Sequence, residues 1–307
     1  MRFLEAETWD VPPREQELRA WDFQKTAIRF GAWMYVTLRK SAVPGTVGKY
    51  LSDLKRVVKP WTDVTLDSPR LKLFIERLHQ YPTVKKLRYP LPAKCLRAFL
   101  DDTSEPLVLR LALLLAMTML MRVGEYTTPR GEGKFNAALH ATWRRIGINA
   151  DGTELLFNIP GSKTDTHNVG SLRQCGALPE APQYCAVRLF QQYRRRVRAR
   201  RLACGIDDPL LVLDNGTPLR SSHVCAAVRR AVAKGAPELD VSLFSSHSLR
   251  SGGATALAHA GYSDRDIMLL GRWKSTSFLA YTRLVRSSHS RASRIISTSD
   301  AMPALLQ

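Results

Sequence analysis

Residues 247–284 read HSLRSGGATALAHAGYSDRDIMLLGRWKSTSFLAYTRL. His247 and Arg250 stand three apart, which on a helix puts both on one face. Arg272, Trp273 and Tyr281 follow. A protein group that attacks a phosphodiester needs an oxygen to attack with. It also needs cations for the nonbridging oxygens and an acid for the departing oxygen. Tyr281 offers the oxygen. Arg250 offers a planar, permanently charged fork, with His247 beside it. The acid has to come from elsewhere in the chain.

Composition points the same way. The 307 residues hold 46 Lys plus Arg against 27 Asp plus Glu, a formal charge of +19. The excess is not a tail: residues 1–90 carry 17 basic and 10 acidic side chains, and residues 91–307 carry 29 and 17. Basic charge in both parts suits a polyanion held by both. The five cysteines, Cys95, Cys175, Cys185, Cys204 and Cys225, form no CxxC pair, which argues against a disulfide framework or a zinc site. The acidic opening MRFLEAETWD lacks the apolar core of a secretion signal. The longest apolar run, Leu107 to Met121, is broken by Arg110 and reads as a buried helix, not a membrane span. An intracellular protein is expected, in the nucleus if the host is eukaryotic.

Before the central stretch, the periodicity predicts a helical unit. From Glu15 to Leu38 apolar residues recur at three and four spacings. Ser41 to Gly45 is read as a turn, with Thr46 capping a helix that contains Tyr50, Leu51, Leu54, Val57 and Val58. Ser68-Pro69 opens another, with Leu71, Leu73, Phe74, Ile75 and Leu78 facing a core. The expected divisions are 1–80, helical; 81–92, a proline-broken basic linker with Lys85, Lys86 and Arg88; and 93–307, a larger mixed domain.

Within the last, Ala93–Asp101 and Glu105–Met121 read as helices, the second delivering Arg122 and Glu125 at its end. Leu139–Ile148 and Leu155–Ile159 read as strands, with a third over Val169–Gln174. That places Lys163 on the turn before the third strand. Gln183–Arg201 reads as a helix ending in six arginines within eight residues, including Arg194, Arg195 and Arg196. Such a patch suits phosphates or an import receptor. The fold class expected is mainly α with a small antiparallel sheet.

In this order the residues resemble a tyrosine recombinase of the phage integrase family. Arg122 in MRVGEY matches the first-arginine box, with Glu125 three residues on. Lys163 matches the hairpin lysine, His247-Ser248-Leu249-Arg250 matches HxxR, and Tyr281 in FLAYTRL matches the nucleophile box. One position departs: the family usually has His or Trp nine residues before the tyrosine, where this chain has Arg272. Trp273 is assigned the role by residue type, with Arg272 as the competing choice. The GRWKS wording is closest in flavour to DIRS-like and Crypton-like mobile-element recombinases.

The resemblance implies that 1–80 is a core-binding, DNA-binding domain and 93–307 the catalytic domain with its C-terminal arm, together a C-shaped two-domain clamp on double-stranded DNA that works through a covalent 3′-phosphotyrosyl intermediate. It implies a homo-tetramer on synapsed DNA, monomeric or dimeric when free, and an exchanged C-terminal arm within residues 292–307. The expected catalytic set is Arg122, Lys163, His247, Arg250, Trp273 and Tyr281, with Glu125 and Arg272 in support. No metal, cofactor or membrane is expected. Two other functions stay open: a domesticated DNA-binding protein that no longer cuts, and a relaxing topoisomerase of type IB-like chemistry. A serine hydrolase built on Ser245 or Ser246 is remote, since neither lies in a nucleophile elbow.

Overall fold

The computed structural model describes residues 27–33, 44–58, 69–80, 89–129, 135–159, 170–200, 202, 205–273 and 279. Lys85, Lys86, Arg88, Lys163, Tyr281 and residues 292–307 lie outside the described residues. Contacts divide the chain into two compact units, Met1–Lys86 and Leu87–Gln307.

The described part of the first unit is helical. Residues 27–33 are helical, followed by α1 (Pro44–Val58) and α2 (Pro69–Gln80). Ala27, Val47 and Leu51 are buried. Two expectations are corrected here. The turn expected over Ser41–Gly45 ends earlier, because α1 already begins at Pro44. Proline suits a first helical position, where its missing N–H costs nothing, so Thr46 falls inside the helix and is not its cap. Tyr50 and Leu73 are exposed, so the apolar stripe facing the core is narrower than the pattern suggests.

The second unit has α3 (Ala93–Asp101) and α4 (Leu107–Thr118), then β1 (Ile146–Ile148), β2 (Glu154–Ile159) and β3 (Ser171–Gly176). Helices α5 (Ala186–Arg200), α6 (Ser221–Gly235), α7 (His247–His259) and α8 (Asp264–Gly271) follow. The three strands form one antiparallel sheet in the order β1-β2-β3. The whole is mainly α with a small antiparallel sheet.

Helix α4 is apolar on nearly every side and sits at the centre, with Leu111, Ala112, Leu113, Leu115 and Ala116 completely buried. It is shorter than the apolar run. Pro106 stands at its N-cap, and Leu120 adopts a positive φ of 51°, which stops the helix before Arg122. The strand expected over Leu139–Ile148 shrinks to Ile146–Ile148. Its first half is claimed by the segment after α5: Leu210 N–H donates to the Ala141 carbonyl (3.0 Å) and Arg144 N–H to the Ile206 carbonyl (2.8 Å). Among the described residues no helix is long and apolar enough to cross a membrane.

Two glycines set the place of α7. A Cβ on Gly252 would lie 2.4 Å from the Leu91 carbonyl oxygen, and one on Gly253 would lie 2.3 Å from the Met117 carbonyl oxygen. Leu91 N–H also donates to the Ser248 carbonyl at 2.8 Å. The main chain before α3 and the end of α4 therefore press on α7 from two directions. Glycine inside a helix costs about 1 kcal/mol each against alanine. Close backbone contact with both neighbours offsets that loss.

Candidate active site

The contact between α4 and α7 brings the ends of several elements together. Arg122 follows α4 and precedes a short 3-10 turn, Val123–Glu125. Glu125 is buried, and its carboxylate accepts the Arg122 backbone N–H (2.8 Å) and Arg122 Nη1 (3.1 Å). It also accepts Nη2 of Arg272 at 2.6 Å, across 147 positions of sequence. One carboxylate thus orients two arginines from opposite ends of the unit. Burial opposes its ionisation. The hydrogen bond and charge of Arg272, then those of Arg122, outweigh that and hold the Glu125 pKa below the ordinary glutamate range.

Arg250 lies in the first half of α7 and is 1% exposed, the largest fully buried side chain among the described residues. Its Nη1 donates to the Leu120 carbonyl and its Nη2 to the Gly271 carbonyl. The guanidinium carbon lies 4.2 Å from the centre of the Trp273 ring, so the indole face covers the cation. Burial, then the charge of Arg122, pushes the Arg250 pKa down to about 9; Arg272 and Arg173 add to this and Glu125 opposes it. At neutral pH it stays cationic, in surroundings that disfavour a cation.

The backbone around this arginine is unusual. Leu120 and Arg272 (φ 56°) are the non-glycine residues with positive φ among the described residues. Leu120 supplies one of the carbonyls that Arg250 uses, and Arg272 follows the glycine that supplies the other. Such conformations cost about 1–3 kcal/mol each and gather at functional sites.

His247, the first residue of α7, remains accessible to solvent. The surrounding protein, then Arg250 and Arg122, all lower its pKa below the ordinary imidazole value. It is therefore a neutral base at neutral pH, the form needed to accept a proton. Arg272 and Trp273 divide the position that the sequence leaves contested. Arg272 reaches Glu125, while Trp273 stacks on Arg250. Tyr126, next to Glu125, is 1% exposed, and burial pushes its phenol pKa up, which unsuits it as a nucleophile.

The structure thus gathers Arg122, Glu125, His247, Arg250, Arg272 and Trp273. The positions of Lys163 and Tyr281 are outside the described residues. So are Lys85, Lys86 and Arg88. Arg194 and Arg195 are exposed on α5, whereas Arg196 forms a two-pronged ion pair with Asp214 (2.8 and 2.7 Å). Arg196 is therefore less free for a ligand than its two neighbours. Sequence reasoning missed Arg173 on β3, whose charge is felt by Arg250 and which itself feels Arg272 and Glu125. The signal was available. Leu172 stands alone among Ser171, Arg173 and Gln174, so the strand's alternation is mostly polar on both sides.

No protein-family model matches the sequence, and neither does any curated protein. Solved structures do match. The Tn1549 transposon integrase in complex with transposon right end DNA is 14% identical, with a TM-score of 0.58, over 97% of this chain and 90% of that one. XerH site-specific recombinase bound to palindromic difH substrate is 14% identical, with a TM-score of 0.57, over 88% and 72%. A lambda integrase dimer bound to a COC′ core site is 18% identical, with a TM-score of 0.50, over 99% and 90%. The chain has the fold of these recombinases and integrases.

Proposed function

We propose that this chain is a site-specific DNA recombinase that cuts and rejoins DNA through a covalent phosphotyrosine. The phenolic oxygen of Tyr281 attacks a backbone phosphorus. A tyrosyl O–P bond forms, the P–O5′ bond breaks, and the 3′-phosphate stays on the protein. The phenol proton passes to His247, and the departing 5′-oxygen takes its proton from Lys163. Arg122 and Arg250 receive the nonbridging oxygens, while Glu125 orients Arg122 and Arg272. Because the bond energy is kept in the phosphotyrosine, rejoining needs no ATP. The guanidinium groups supply charge neutralisation that metals supply in many nucleases, so chelators are expected to leave the reaction unchanged.

One observation carries this reading: Arg122 and Arg272 both bond the one buried carboxylate of Glu125, and the charges of Arg250 on α7 and Arg173 on β3 are felt in the same cluster. That is a site with positive charge to spare, beside a neutral histidine. The fold shared with DNA-bound recombinases and integrases supports the same reading, as does basic charge in both parts of the chain. On it, the two units grip the duplex as a clamp, with Lys85, Lys86, Arg88, Arg194 and Arg195 as backbone contacts. Four copies assemble on two synapsed sites, exchanging the arm at 292–307. The GRWKS wording supports a eukaryotic mobile element of DIRS-like or Crypton-like type.

The burial of Arg250 against two carbonyls favours a second reading, a DNA-binding protein that no longer cuts. One experiment separates them. The full chain is incubated with a pool of nicked duplexes of random sequence, and protein–DNA adducts are resolved under denaturing conditions. The wild type is expected to form an adduct and Tyr281→Phe none, with duplex affinity unchanged. An adduct that survives in Tyr281→Phe means another nucleophile; no adduct from the wild type means a binder.

A further inference from the structure

Strand β3 is inside out. Its register pairs Arg173 with Phe157 and Cys175 with Leu155, both of which are completely buried on β2. Residues directly opposite in an antiparallel pair share a face, so Ser171, Arg173 and Cys175 lie on the inward face. The outward face carries Leu172, 60% exposed. A strand that folds only for stability would place the leucine inward and the arginine in water. Nε of Arg173 and Oγ of Ser171 are both buried with no hydrogen-bond partner. Unsatisfied buried polar atoms in a native fold ask for a cause, and an absent ligand is one.

The other three arginines of the cluster each have at least one partner, although Nε of Arg272 is, like that of Arg173, buried without one. Arg122 and Arg272 lean on Glu125, and Arg250 donates to the carbonyls of Leu120 and Gly271. The Arg173 side chain has no hydrogen bond or ion pair among the described residues. It therefore brings a fixed fork of donors and an unbalanced charge into a site that already holds three cations.

We propose that Arg173 is a further phosphate-binding residue of this site, donating to a nonbridging oxygen of the DNA phosphodiester from the β3 side. The proposal rests on the reading of the site as one that takes DNA phosphate. A guanidinium suits the position because its planar fork pairs with two oxygens at once, which the point charge of lysine does not do. Burial and the nearby Arg272 push the Arg173 pKa down to about 10, the direction expected for a cation awaiting its counter-ion.

The test uses the full chain as wild type, Arg173→Gln and Arg173→Lys, with three measurements. These are the salt dependence of affinity for a random-sequence duplex, the adduct yield with the nicked random pool, and the melting temperature. For Arg173→Gln, the slope of log affinity against log salt is expected to shrink by about 0.9, the share of one phosphate contact. Adduct yield should fall at least tenfold, with Arg173→Lys recovering part of it. The melting temperature should rise, because a cation crowded by cations has gone. A merely structural arginine would lower it.

An unchanged slope together with an unchanged adduct yield in Arg173→Gln overturns the proposal. Should that variant not fold, Arg173→Lys decides: wild-type adduct yield from it overturns the proposal, and a reduced yield upholds it. Should the wild type form no adduct, the cleavage reading fails by itself. The salt slope of Arg173→Gln then still decides the role of Arg173.

Discussion

Two charged clusters in the second unit are built to opposite plans. Between α3, α4 and α6, Asp102 and Glu105 face Arg230 and Lys234. Glu105 holds Arg230 with contacts of 2.8 to 3.2 Å and Lys234 at 3.0 Å, and Lys234 also reaches Asp102. Phe99 lies beneath both cations, at 5.7 and 5.9 Å from its ring centre. Two acids meet two bases, and the pKa shifts agree: Arg230 and Lys234 go up, Asp102 and Glu105 go down. Each charge is better off folded. At the other cluster Arg122 and Arg272 share the one carboxylate of Glu125, Arg250 and Arg173 have no acid of their own, and both of these go down. The first cluster is finished by the fold. In the second, cations outnumber the single acid, and on the proposed function a DNA phosphate supplies the balance.

The strongest way to break that contrast is Arg250→Met. If the second cluster serves chemistry, adduct formation should fall by about 10²–10³-fold, as on removing one oxyanion donor. A loss under tenfold in the denaturing adduct assay would make Arg250 a packing residue. Next comes Glu125→Gln, which keeps the shape and removes the carboxylate charge that holds Arg122 and Arg272. Breaking such a buried pair should cost about 3 kcal/mol, read from urea unfolding. No loss of stability would mean that the arginines do not lean on it.

Glu105→Gln sharpens the comparison from the other side. Its partners are partly solvated, so about 1 kcal/mol of stability should go, while adduct yield and duplex affinity stay at wild-type values. Any drop in adduct yield would tie the first cluster to the site.

The smallest effect is in pH. The folded His247 has a pKa below 6.5, so its folded-state neutrality is matched by the unfolded chain above that value. As pH falls through 6.5 the unfolded chain takes the proton first, and stability is lost until the folded pKa is passed. The melting temperature of the wild type should therefore drop more between pH 7 and pH 5.5 than that of His247→Asn. Parallel curves would show that the histidine is not perturbed. The carboxylates contribute only at lower pH, since Glu125 and Glu105 are depressed below 4.5 and lose their stabilising charge on acidification from there.

The sequence made some of this legible and not the rest, for physical reasons. Local signals carried the helices: Ala93–Asp101 is bounded as its periodicity and flanking Pro92 suggest. The apolar run after Glu105 announced a central helix, and the spacing of Arg122 and Glu125 announced a contact that a short turn does make. What failed was whatever depends on distant partners. In the half-strand at Leu139–Arg145, Leu139 and His140 N–H turn back to Asn136, while the Ala141 carbonyl and Arg144 N–H bond the segment at 206–210, which no window around it reveals. Thr46 reads as a cap until Pro44 is recognised as a first helical residue. Arg173 reads as an ordinary strand arginine until its register against Phe157 turns it inward. The carbonyls that hold Arg250 follow from positive φ at Leu120 and Arg272, which residue types alone do not announce.

The pair Gly252-Gly253 makes the seat of α7 depend on bare backbone. Helix α7 is stopped on two sides by main-chain atoms, and every residue has those atoms. What must be preserved at that junction is an absence, two missing side chains, and not any particular packing partner. Such a constraint says little about the neighbouring side chains, while a side chain at either glycine would push the helix off its seat.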